Sequence, residues 1–310
     1  MSKNKVVVIA GPTAVGKSEI GIELALHFGG EIISGDSMQI YRGLDIGTAK
    51  VTLAERKRVP HHLIDERDPA ESYSAAAFQK EAKERIKNMN DDGKLPFVVG
   101  GTGFYIRALT RDLDLHETSA DEGFREEMEQ YAQTHGTQAL HEKLQAIDYQ
   151  SASRIHPNNL KKVIRALEIN HTTGRKQREF SEQETQPSPY DLALIGLTME
   201  RDVLYRRINE RVDQMVADGV MEEARWLFEY APEDSQAAQA IGYKEFYSYF
   251  KGEYSIEQAV EQLKRNSRRY AKRQLTWFRN KEKMKWFDMT SMNKEEKIQE
   301  MIEYIEGKFS

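Results

Sequence analysis

Gly11-Pro12-Thr13-Ala14-Val15-Gly16-Lys17-Ser18 fits the pattern G-x-x-x-x-G-K-[ST]. Glycines at this spacing let backbone N–H groups close around phosphate oxygens, and a helix N-terminus adds positive potential. In such a cradle Lys17 reaches the outer phosphate, and Ser18 offers its hydroxyl to Mg²⁺. Average residue usage gives a chance match in about one chain in a hundred of this length. Here the match also sits between the strand-like Val6–Ala10 and a helical pattern from Ser18 to about Phe28. The alternative is a plain glycine turn. We read a phosphate site, which by itself says nothing of the ester bound or the group transferred.

Three more residues could do chemistry beside it. The strand pattern Glu31–Ser34 ends in Gly35-Asp36-Ser37-Met38-Gln39-Ile40-Tyr41, so Asp36 falls at the carboxyl edge of a sheet, where ligands bind. Its alternative is a cap or turn residue. The strand pattern Leu95–Val99 ends in Gly100-Gly101-Thr102-Gly103, without the metal-holding acid of a hydrolysing ATPase. A glycine-rich turn presenting Thr102 suggests close backbone approach to a ligand, the alternative being a simple turn hydroxyl. Beyond Asp202, Leu204, Ile208, Val212 and Met215 form one helical stripe, and Arg211 falls on it. A core-facing arginine needs an anion. A phosphate fits the guanidinium fork, and a structural carboxylate is the alternative.

The segment Lys264–Arg279 holds seven basic residues and no acid, with Arg265, Arg269, Lys272, Arg273 and Thr276 at helical spacing. In a chain of formal charge −5, such clustering points to a polyanion partner rather than a merely solvated face. Tyr270, Trp277 and Phe278 could stack bases, but their spacing fits anchors in the core better. The helical pattern Asn158–Thr172 adds Lys161, Lys162 and Arg165. His61-His62 lacks accompanying ligands and reads as structural.

The elements that must position these residues follow from patterning. Short apolar, β-branched runs alternate with helices in the first third, the signature of a buried parallel sheet in an α/β domain. From about Asp112 to Pro189 strand signals give way to helices, Gly123–His135 and Asn158–Thr172 among them, and this stretch reads as an insertion. The strand pattern Leu192–Leu197 then returns to the sheet, and the remainder reads as mostly helical. The expected organisation is a core of residues 1–111 and 190–310 around a helical insertion, 112–189. Only Ser181–Ser188 reads as a linker. With 310 residues and 39% hydrophobic content, one large or two modest cores can form. No apolar run is long enough for a membrane span, and no signal peptide is evident. Cysteine is absent, which excludes disulfides and thiolate metal sites and makes the cytoplasm the expected compartment.

Taken together the chain resembles the bacterial tRNA dimethylallyltransferases (tRNA isopentenyltransferases). The resemblance rests on Gly11–Ser18, Asp36–Tyr41, Gly100–Tyr105, Arg154–Asn158, Arg165–Glu168, Ala240–Glu245 and Ala271–Arg279, in the family's order over nearly the whole chain. It implies a P-loop NTPase-like core, a helical insertion gripping the tRNA anticodon stem-loop, and a helical C-terminal part. It implies transfer of a dimethylallyl group from its diphosphate, with Mg²⁺, to N6 of the adenosine 3′-adjacent to the anticodon. The family's general base maps onto Asp36, and its diphosphate-binding residues onto Lys17, Ser18 and Arg211. Its tRNA contacts map onto Asp36, Ser37, Met38, Gln39, Thr102, Arg125, Lys161, Lys162, Val163, Ile164 and Arg165. They continue through Ile241, Gly242, Tyr243, Lys244, Lys272, Arg273, Gln274, Leu275, Thr276, Trp277, Phe278 and Arg279. Ser18 stands where many members carry threonine, which keeps the hydroxyl. A monomer is expected. The competing reading is a P-loop nucleotide or small-molecule kinase, which leaves the basic helix and the insertion without a role.

Overall fold

The computed structural model describes residues 3–113, 115, 121–174, 187–290 and 293–310. It divides into two compact units, Met1–Thr110 with Ser188–Ser310, and Arg111–Pro187. Ser181–Gln186 of the linker-like stretch lie outside the described residues.

The first unit is built on β1 (Lys5–Ala10), α1 (Lys17–His27), β2 (Glu31–Ser34), α2 (Leu53–Arg58), β3 (His61–His62), α3 (Ala75–Asp91), β4 (Pro96–Gly100) and α4 (Gly103–Thr110). After the second unit come β5 (Asp191–Thr198), α9 (Arg201–Ala217), α10 (Val220–Tyr230), a 3₁₀ turn (Lys244–Phe246), α11 (Tyr247–Phe250), α12 (Ile256–Lys281), β6 (Lys285–Asp288) and α13 (Lys294–Phe309). The strands form one six-stranded sheet in the order β3-β2-β4-β1-β5-β6, every pair parallel. Helices cover both faces, so the run Val6–Ala10 is buried throughout, with Val6 and Val8 facing one core and Val7 and Ile9 the other. This is an α/β, P-loop NTPase-like fold. The two strands the sequence pattern does not show, β3 and β6, lie at the sheet's edges.

The chain leaves β1 toward β2 on one side, whereas it leaves β4 toward β5 on the other. The crevice at the carboxyl ends of the adjacent β1 and β4 is therefore the topological switch point, where α/β sheets hold ligands. Local chemistry fixes the helices around it. Ser74 caps α3 by accepting the Ala77 N–H. Ser255 and Gln258 form a reciprocal capping box that starts the 26-residue α12.

The second unit contains α5 (Glu122–His135), α6 (Thr137–Ile147), α7 (Tyr149–Arg154) and α8 (Leu160–Thr173). It has its own small core of Met128, Leu140, Leu144, Val163 and Leu167, among others. Gly174, in the left-handed region at φ 66°, ends α8. Glu168 is fully buried there, accepting from the Asp121 N–H and pairing with Arg125 and Arg165 at 2.9 and 2.6 Å. Burial alone would raise its carboxyl, but the two arginines and the amide hold it below the ordinary carboxylate range.

Candidate active site

The cradle joins β1 to α1. Gly16 starts the helix in the left-handed region at φ 104°, and no side chain caps it. The first-turn amides are thus left for a ligand. Ala14 also has a positive φ, 66°, a strain that persists only where the surroundings enforce it. A cavity of about 520 Å³ opens here, lined by Thr13, Ala14, Lys17 and Ser18. A second depression, of about 500 Å³, lies at the opposite edge of the sheet around Lys3, Lys5, Asn90 and Asp191. There the Lys5 N–H and Asn90 satisfy each other, and no residue set with evident chemistry converges.

The cavity brings Asp36 and Arg211 together beside the cradle. Asp36 lines it, and its Oδ1 accepts the Met38 N–H at 2.9 Å. Asp36 is therefore a turn residue and a cavity residue at once. Its Oδ2 accepts no protein hydrogen bond among the described residues. Arg211 lines the opposite wall on α9 with Ile208, Val212 and Met215. No carboxylate pairs with it among the described residues, so the structural salt bridge is not what explains this arginine. Burial, and then the neighbouring Arg207, pull its guanidinium below its ordinary range. Burial brings the Lys17 ammonium down to about 8; Asp36 acts against this and Arg211 adds to it. In the meantime Nζ donates to the Pro12 carbonyl at 2.8 Å. Two half-buried cations without carboxylate partners, facing one cavity, have the chemistry to hold an anion.

Thr102 is placed differently from the other two. It is not among the lining residues. Its hydroxyl accepts the Ser37 N–H at 3.0 Å and donates to Ser37 Oγ at 3.3 Å. It thus fixes the turn that carries Asp36. The glycines beside it allow backbone contact: a Cβ on Gly100 would meet the Gly35 carbonyl at 2.2 Å. Tyr270, on α12, completes the wall; burial and Asp36 push its phenol well up, against Thr102, Arg273 and Gln274.

Several expected RNA contacts do other work. Gln274 is buried and ties the cradle to the β4 turn, accepting the Thr13 N–H at 2.8 Å and donating to the Gly101 carbonyl at 3.0 Å. The side chains of Tyr243 and Phe278 are buried in the core of the first unit, and those of Val163 and Ile164 in that of the second. The Tyr243 hydroxyl instead donates to Glu223, whose carboxylate also gathers the N–H groups of Asp45, Ile46 and Gly47. That clamp carries no sequence motif and was not expected. Trp277 is half-buried against Gly103. Arg125 and Arg165 are committed to Glu168. Exposed and without carboxylate partners among the described residues are Arg269, Lys272, Arg273 and Arg279 on α12, Lys244 at the cavity, and Lys161 and Lys162 on α8. Lys264 and Arg268, on the inner flank of α12, pair with Asp213 and Glu261. His62 pairs with Glu31 at 2.7 Å and His61 with the Val59 carbonyl.

Comparison with known proteins matches residues 39–281 to the model of the IPP transferases. The chain belongs to the IPP transferase family. It is 54% identical to the tRNA dimethylallyltransferase of Halalkalibacterium halodurans over 307 residues, covering 99% of this chain and 98% of that one. It is also 54% identical to the enzyme of that name from Geobacillus thermodenitrificans, over 98% and 97% of the two chains. Among solved structures, the full-length tRNA isopentenylpyrophosphate transferase of Bacillus halodurans superposes with a TM-score of 0.75 at 54% identity, covering 99% and 97%. A eukaryotic dimethylallyltransferase acting on tRNA gives 0.80 at 31% identity, over 94% of this chain and 75% of that one.

Proposed function

We propose that this enzyme transfers the dimethylallyl group of dimethylallyl diphosphate to N6 of the adenosine 3′-adjacent to the anticodon of tRNA, releasing pyrophosphate. One observation carries the reading: a phosphate cradle, two unpaired cations and the Asp36 carboxylate share a cavity that the unpaired basic face of α12 flanks. A kinase has no use for that basic face. Ser18 suits a hard cation, because its hydroxyl lines the cavity and makes no hydrogen bond among the described residues. Mg²⁺ held by Ser18 and diphosphate oxygens would neutralise charge on the leaving group.

The chain's own residues account for the rest. The cradle amides, Lys17 and Arg211 bind the diphosphate and stabilise it as it leaves. The adenine N6 lone pair forms a bond to the allylic C1, the C1–O bond breaks, and its electron pair departs with pyrophosphate. Asp36 accepts a hydrogen bond from N6 and takes the proton. Thr102 acts through Ser37, holding the Asp36 turn in place. The anticodon loop gives up the base because an unpaired position is extruded at low cost. Ser37, Met38, Gln39, Ile241, Lys244, Lys272, Arg273, Thr276 and Arg279 meet the RNA. In the second unit Lys161 and Lys162 meet phosphates of the anticodon arm. The reaction belongs in the cytoplasm, on a monomer.

Asp36→Ala tests the assignment. Turnover on stem-loop RNA should fall by about 10²–10⁴-fold while RNA affinity stays within a few-fold of wild type. Near-normal turnover removes Asp36 from the base role.

A further inference from the structure

We infer that Phe104 is a stacking platform for a base of the anticodon loop, a contact that rests on the RNA-modifying reading above. Helix α4 buries nearly all of its side chains. Tyr105, Ile106, Arg107, Ala108, Leu109 and Thr110 are all buried, and Gly103 is half-buried against Trp277. Phe104 alone on this helix is exposed, at 44%. It has no aromatic partner and no cation over its ring among the described residues. A phenyl group gains by leaving water. Its neighbour Tyr105 faces the core instead, stacking on Phe78 with ring centroids 4.6 Å apart.

Its neighbourhood says what would cover it. Phe104 lies two residues from Thr102, which holds the Asp36 turn. The turn before it packs on α12 at Gln274 and Trp277, whose flanking positions Lys272, Arg273, Thr276 and Arg279 are exposed. Lys272 and Arg273 have no carboxylate partner among the described residues. An apolar ring next to a turn that packs on the cation-bearing α12 matches a nucleic acid strand, whose bases stack while its phosphates take the charge. It suits neither a peptide strand nor a lipid surface, since no second exposed apolar side chain stands near it on α4. The occupant is a loop base next to the extruded adenosine, which has lost its own stacking neighbour when the target leaves.

Equilibrium binding of anticodon stem-loop RNA, measured over a salt series with wild type, Phe104→Ala, Phe104→Trp and Lys272→Ala, tests this. Phe104→Ala should weaken binding by about tenfold, the size expected for one lost stacking partner. Its slope of log affinity against log salt should match wild type, because no phosphate contact is lost. Phe104→Trp should restore affinity, while Lys272→Ala should weaken binding and flatten the slope. Unchanged melting temperature and unchanged dimethylallyl diphosphate affinity show that the variants fold. Phe104→Ala within twofold of wild type overturns the inference, and so does Phe104→Trp binding as weakly as Phe104→Ala. Failure of the wild type to bind stem-loop RNA overturns the RNA-modifying reading itself, a different result from either.

Discussion

Lys17 and Arg211 face each other's charge across a cavity with no protein carboxylate to balance Arg211, an arrangement that a fold does not adopt for its own stability. The consequence can be read in pH. Lys17 loses its proton about 8, earlier than an ordinary lysine, so its cation is present below that pH and lost above it. We expect kcat/KM for dimethylallyl diphosphate to fall as pH rises through this range, since that ratio reports the free enzyme. Lys17→Arg keeps its charge and should carry the falling limb beyond the measurable range, even at reduced rate; a limb that stays put assigns it elsewhere. Arg211→Met should raise KM for the diphosphate at least tenfold yet leave the melting temperature of the free enzyme unchanged or slightly higher, because it removes an unpaired, partly desolvated charge. A loss of several degrees would mean that the arginine is structural. At this scale the sequence was informative: an arginine on an apolar stripe and a lysine in a glycine cradle are anomalies visible from spacing alone. Thr102 shows the limit, since only the folded turn reveals that its hydroxyl engages Ser37 rather than the cavity.

The element that matters most is α12, which has an inner edge in the site and an outer edge of unpaired cations. On the inner edge Gln274 ties the cradle to the β4 turn by holding the Thr13 N–H and the Gly101 carbonyl. Gln274→Ala leaves both buried groups unsatisfied, costing about 1–3 kcal/mol each if no water enters. We expect it to raise KM for dimethylallyl diphosphate severalfold while stem-loop affinity changes less than twofold; the reverse pattern would make Gln274 an RNA contact after all. This role was illegible in the sequence because its partner lies 261 positions away, a separation no local pattern encodes. The central strands β1, β2, β4 and β5 were legible, being apolar runs buried on two faces. The edge strands were not. β3 is two half-buried histidines, and β6, Lys285–Asp288, follows so closely on a charged helix that no alternation develops.

Taken whole, the molecule carries a formal charge of −5 and still presents a basic face, so its affinity for RNA must come from local rather than net charge. Its two compact units hold separate cores, and the second buries two acids, Asp148 and Glu168. Glu168 is held below the ordinary carboxylate range, so its contribution is present at neutral pH and lost as pH falls through that range. Stability of the second unit should therefore drop as pH falls below about 5, through the ordinary carboxylate range and beneath it, in the wild type. In Glu168→Gln melting should be weaker by about 1–3 kcal/mol at neutral pH and nearly flat across the same interval, since the partner arginines are two-fifths exposed and can turn to water. A variant with the wild-type acid dependence would place that titration on another carboxylate.

We propose that the cavity of Lys17, Asp36 and Arg211 transfers a prenyl group to RNA. Incubation of unmodified anticodon stem-loop RNA with the enzyme, dimethylallyl diphosphate and Mg²⁺, followed by mass spectrometry of the RNA and its fragments, tests it most directly. A gain of one dimethylallyl unit on the adenosine 3′-adjacent to the anticodon is the expected result. Unmodified RNA, with ATP consumed against a small-molecule acceptor instead, would contradict it.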